Sequence, residues 1–109
     1  MQPTTQNQQY PKNATVDLIF PITDNGVQYK TITLRRPTVD DTLTADALNR
    51  VSGDSGTDAQ EELILFSRLC GMSLLALRQL DLIDYRNLSK AFKSFFAPIE
   101  TGSSTTALS

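Results

Sequence analysis

Val16, Leu18 and Phe20 alternate with Thr15, Asp17 and Ile19. That period of two is the mark of a half-buried strand, which Pro21 is expected to end. Thr23-Asp24-Asn25-Gly26 follows, and Asn-Gly supplies the two positive-φ positions of a tight hairpin turn. Val27 to Arg35 is rich in β-branched and aromatic residues, so a β-hairpin is expected over 15–35. Two strands alone are marginal in water, so the hairpin must pack on helices or pair with another chain.

The period then changes to that of a helix. Pro37 closes the second strand, Thr38 is placed to cap a helix, and Asp41 stands at the third position of a capping box. Val39, Leu43, Ala47, Leu48 and Val51 recur at helical spacing and are expected to face the core. Ser52 to Gly56 reads as a loop. Thr57 or Asp58 caps a second helix with an apolar face of Leu63, Leu65, Phe66, Leu69 and Cys70, stopped at Gly71. Ser73 caps a short helix from Leu74 to about Leu80. Asp81 caps the last one, where Leu82, Tyr85, Leu88, Phe92, Phe95 and Phe96 make one apolar stripe. The fold class is α+β: an N-terminal β-hairpin followed by a cluster of three to four helices. Residues 14–98 are expected to form one domain. The polar tails, 1–13 and 99–109, lack apolar anchors and are expected to be disordered.

The short helix raises a question. Leu74, Leu75, Ala76, Leu77 and Leu80 spread round nearly the whole helical wheel, leaving only Arg78 and Gln79 polar. Either this helix is central in the fold or part of it meets a partner. Ile64, between Ser67 and Arg68 on its own wheel, poses a milder version. Ile64, Leu74, Leu75, Leu77 and Leu80 are therefore the candidate partner-binding residues.

Composition narrows the chemistry. The chain of 109 residues has no histidine and one cysteine. That removes an intrachain disulfide, a Cys/His zinc site and the Ser-His or Cys-His nucleophile systems. Cys70 lies in an apolar segment and reads as a small buried hydrophobe in a reducing compartment. A net charge of −2 gives no bulk attraction to nucleic acid. The carboxylate pairs Asp40/Asp41, Glu61/Glu62 and Asp81/Asp84 all fall at expected helix N-termini, where the helix dipole accounts for them. There is no Gly-rich phosphate loop, and no apolar run approaches the roughly 20 residues of a membrane span. The first residues have neither the basic nor the apolar region of a signal peptide. No catalytic residue, metal site or cofactor is expected. Arg35 and Arg36 end the hairpin. Arg86, Lys90 and Lys93 share one side of the last helix, and that basic face keeps open a second reading as a small DNA-binding or regulatory protein.

KTITLRRPTVDDTLTADAL, followed by EELILFSRLCGMSLLALRQLDLIDYRNLSKAFKSFF, resembles the small tail assembly chaperones of contractile-tailed phages and prophages, of the Mu-like type. The points of likeness are Leu34-Arg35-Arg36-Pro37 leading to Asp40-Asp41, then Gly71, then Leu80, Asp81 and Asp84, then the closing Phe95-Phe96. The resemblance implies a non-enzymatic protein of the bacterial host cytoplasm that is absent from the mature virion. It implies a chaperone that binds the tape-measure protein and keeps it soluble until the tail tube assembles. It also implies a longer form made by translational frameshift. A structural tail component is the remaining alternative. Self-association through the open hairpin edges is expected, with no nucleic acid and no membrane as partner.

Overall fold

The computed structural model describes residues 9–51 and 57–99. Of the expected tails, 1–13 and 99–109, residues 1–8 and 100–109 lie outside the described residues, as does the loop at 52–56; of the rest, Asn13 opens the first strand, Lys12 and Pro11 accept from Arg36, and Gln9 accepts from the Ile99 N–H. Strands β1 (Asn13–Asp24) and β2 (Val27–Arg35) form an antiparallel hairpin. Helices α1 (Val39–Val51), α2 (Asp58–Cys70), α3 (Leu74–Leu77) and α4 (Leu82–Lys93) follow, and a 3-10 turn over Ser94–Phe96 extends α4. The α+β class and the hairpin-then-helices order are as the sequence predicts.

The turn takes the form its residues favour, with Asn25 at φ 52° and Gly26 at φ 80°. Pro21 does not end β1, which runs three residues past it. From Asp17↔Thr31 to Ile22↔Tyr29 the pairing advances five positions on β1 against two on β2. The excess forms a bulge around Leu18–Pro21, where a residue without an N–H costs the ladder nothing. The bulge breaks the alternation. Val16, Leu18 and Ile22 are buried, whereas Phe20, expected inside, is exposed together with Ile19.

The buried face of the hairpin, with Ile32 and Leu34, packs on Leu65, Phe66 and Leu69 of α2 and Leu88 of α4. Phe66, Leu34, Leu77, Leu88 and Phe95 are almost wholly buried. Each such side chain contributes roughly 1.5–3 kcal/mol by leaving water. Phe92 lies among Phe66, Phe95 and Phe96 at ring-centroid distances of 5.5, 6.4 and 5.3 Å. The α4 stripe is thus real in its middle and open at both ends, because Leu82 and Phe96 are exposed.

Caps fix the helix starts. Thr57, Ser73 and Asp81 accept from backbone N–H groups two or three residues on, and Gly71 ends α2 at φ 78°. α3 is shorter than expected. After Leu77 the chain tightens into i→i+3 bonds, Gln79 N–H to Ala76 and Leu80 N–H to Leu77, so Leu80 lies past the helix. The Asp24 carboxylate accepts from both the backbone N–H and the hydroxyl of Ser73, tying the end of β1 to the start of α3.

Candidate functional site

Helix α1 inverts its expected orientation. Its buried positions are Asp41, Ala45 and Asn49, which share one face at i, i+4, i+8. Val39, Leu43, Ala47 and Val51 face outward, and Leu48 lies at the edge of the contact. Leu43 is 63% exposed and Val51 77%.

The cause is a polar seam between α1 and α2, the one element among the described residues against which α1 packs extensively. At one end Asp41 is the hub. Thr38 N–H donates to its carboxylate at 2.8 Å, the returning half of the capping box. Arg35 approaches it with two nitrogens at 2.8 Å, and Arg68 reaches it from α2 at 3.2 Å. The bidentate Arg35 guanidinium holds the Asp41 carboxyl far below the usual carboxylate range, against the opposing effect of burial. Such a carboxylate is a weak base and a good structural anchor. In the middle, Ala45 admits close approach. At the far end Asn49 donates to the Thr57 carbonyl and to Glu61. A seam of this kind needs no leucine, so the apolar stripe is left in water.

Beside the stripe a groove of about 280 Å³ opens between α1, α2 and α3, lined by Leu48, Gln60, Ile64, Ser67, Arg68 and Leu74. It brings together two of the sequence candidates, Ile64 and Leu74, with Leu48 of α1, but Ile64 is itself a core residue, 7% exposed, and forms the floor of the groove. Leu75 adjoins them and is 72% exposed. Leu77 is not offered at the surface. At 1% exposure it is core, because the single turn of α3 points Ala76 and Leu77 inward. Leu80 belongs to a separate groove of about 200 Å³ with Leu63, Leu77 and Leu82. The exposed stripe of α1 was missed at the sequence level. The available signal was the pair Asp41 and Asn49 at helical spacing with Ala45 between them.

Several other polar groups tie the elements together. Arg36 donates to the carbonyls of Pro11 and Phe95 at 2.9 Å, its guanidinium 5.4 Å from the Tyr10 ring centre. Glu62 accepts from the hydroxyls of Tyr85 and Ser89. Burial, reinforced by Glu62, pushes the Tyr85 hydroxyl up, and burial does the same to the Cys70 thiol. Asp81 caps α4 as expected, but Asp84 does not serve the cap. It is fully buried and accepts the N–H groups of Ile19 and Phe20 at 2.8 and 2.9 Å. Among the described residues no cluster of His, Cys, Asp or Glu is placed to hold a metal ion. No helix among them is long and apolar enough to cross a membrane.

A family model described as phage tail assembly chaperone proteins, E, or 41 or 14, matches residues 15–97. The chain belongs to the phage tail assembly chaperone family. The match runs from the start of the hairpin's buried face to the residue after the 3-10 turn, so it takes in every element described above. Comparison with curated proteins and with solved structures gave no significant match.

Proposed function

We propose that this tail assembly chaperone binds the tape-measure protein and keeps its apolar helices soluble until the tail tube forms, without itself catalysing a reaction. The observation that carries the reading is the outward stripe of α1, Val39, Leu43, Ala47 and Val51, which continues through Leu48 into the groove of Ile64 and Leu74. A ridge of apolar side chains beside a groove is the surface on which an amphipathic helix lays its own stripe. The client is a helical protein with such stripes, and its tail destination agrees with the family. Leu75 extends the surface along α3. The same reading holds the chaperone in the host cytoplasm and outside the finished virion, and has it self-associate through the free edges of its two-stranded sheet.

Co-expression with the tape-measure protein of the same phage tests the reading. The wild-type chain should carry that protein into the soluble fraction and co-purify with it. A Leu43→Ser, Val51→Ser variant should lose the complex while melting near the wild-type temperature, because both side chains are already in water. A tape-measure protein equally soluble with the variant, or with no chaperone at all, overturns it.

A further inference from the structure

A groove of about 560 Å³ opens at the N-terminal end of α2, between α1 and α4. Ala45 of α1, Leu65 of α2 and Tyr85 of α4 line it together with three carboxylates, Asp58, Glu61 and Glu62. No lysine or arginine among the described residues lines it. Glu62 accepts from the hydroxyls of Tyr85 and Ser89, and the Asn49 amide lies 3.5 Å from Glu61. None of the three carboxylates has an ion pair among the described residues. The positive end of the α2 dipole steadies carboxylates at this position, but it brings no cation to them.

The opposite charge stands on the same chain. Arg86, Lys90 and Lys93 follow one another at i, i+4 and i+7 on α4, and all three are exposed. None of them has an ion pair among the described residues, whereas Arg35, Arg50 and Arg68 are each matched to an aspartate. Strip and groove are neighbours across α4. Arg86 directly follows Tyr85, which lines the groove, and Lys93 stands one turn beyond Ser89, which bonds Glu62. Two surfaces of opposite sign thus adjoin without meeting.

We propose that two copies of this chain pair about a two-fold axis, the Arg86–Lys90–Lys93 strip of each seated on the acidic groove of the other. A two-fold contact brings one half of a patch to the other half on the second copy, and the reverse, so both halves must lie side by side. Their adjacency on α4 supplies that. The charges select the occupant. An acidic partner is repelled by the groove and a basic one by the strip, whereas a second copy matches both. The stems of the lysines and the arginine have Ala45, Leu65 and Tyr85 to lie along while their heads reach the carboxylates. The contact uses no residue of the α1 stripe or of the Leu48–Ile64–Leu74 groove, so it stands apart from the client surface proposed above. It is also separate from pairing along the strand edges, which would leave both charged surfaces in water.

Sedimentation velocity of the full chain is the test. A dimer is expected at low salt, weakened at least tenfold in about 1 M salt, where the Debye length falls to about 3 Å. Arg86→Glu, Lys93→Glu makes the strip as negative as the groove it meets. Asp58→Lys, Glu61→Lys makes the groove as positive as the strip. Each variant alone should dimerise at least tenfold more weakly than the wild type. Mixed in equal amounts, the two should form a heterodimer of near wild-type affinity, because every contact again joins opposite signs. Melting curves confirm that each variant folds, and the strip variant with the salt series carries the test alone if the groove variant does not. A monomer at every concentration in low salt overturns the proposal. So does a dimer indifferent to salt and to both reversals, which is the behaviour of strand-edge pairing, or the failure of two folded variants to pair when mixed.

Discussion

Replacing Asp84 with asparagine changes one atom in shape and almost everything in bonding. The two carboxylate oxygens each accept one backbone N–H, from Ile19 and from Phe20. Asparagine keeps one acceptor and turns an NH2 toward the other N–H, which leaves a buried donor facing a donor. A buried unsatisfied polar group costs about 1–3 kcal/mol, and the surviving bond loses the strengthening that the charge gave it. Removing a buried charge returns part of that loss. The net expectation is a destabilisation of about 2 kcal/mol, which for a domain of this size lowers Tm by roughly 8–16 °C. Thermal unfolding followed by circular dichroism measures the total. Native-state amide exchange locates it, because the Ile19 and Phe20 amides should lose protection before the rest of the core. A variant as stable as the wild type, with those two amides still protected, would refute the bonding role given to Asp84.

Asp41→Asn should cost about 2–3 kcal/mol, below the usual range for breaking a buried pair, because Arg35 and Arg68 are partly exposed and recover water. The Asp41 carboxyl is lowered in the fold, so its contribution is full above the ordinary carboxylate value of about 3.9 and is lost as pH falls below it. Urea unfolding at neutral and acid pH should show a smaller pH dependence in Asp41→Asn than in the wild type. Leu77→Ala should cost about 2–5 kcal/mol, while Leu75→Ser on the same turn should stay within about 0.5 kcal/mol. Paired melting curves check the contrast. Gly71→Ala meets no atom within 4 Å but must hold φ at 78°, so it should cost about 1 kcal/mol by strain alone, read as a shift in the urea midpoint.

What the sequence made legible was local. The Asn25-Gly26 turn, the Thr38–Asp41 box, the Ser73 and Asp81 caps and the Gly71 stop are decided within four residues, and the structure shows each of them. The reading of α1 failed because periodicity assumes that apolar residues face inward. Asp41 and Asn49 could be buried only because Arg35, Arg68 and the start of α2 come to meet them, and those partners are distant in the chain. The bulge failed for the same reason. Nothing between Asp17 and Ile22 announces that Asp84, more than 60 residues on, will take two of its N–H groups. Of the binding candidates, Ile64 and Leu74 share a groove and Leu75 is in water, while the one-turn length of α3 makes Leu77 core. A helical wheel could not separate these cases, because it does not show where a short helix stops.

In the proposed function the client sits on the outward stripe of α1. Titration of the isotope-labelled chain with segments of the tape-measure protein, followed by amide and methyl NMR shifts, tests it residue by residue. The predicted result is saturable shifts concentrated at Val39, Leu43, Leu48 and Val51 and running into Ile64 and Leu74, abolished by Leu43→Ser, Val51→Ser. Saturable binding that leaves those residues unmoved, or shifts that survive the double substitution, would contradict it.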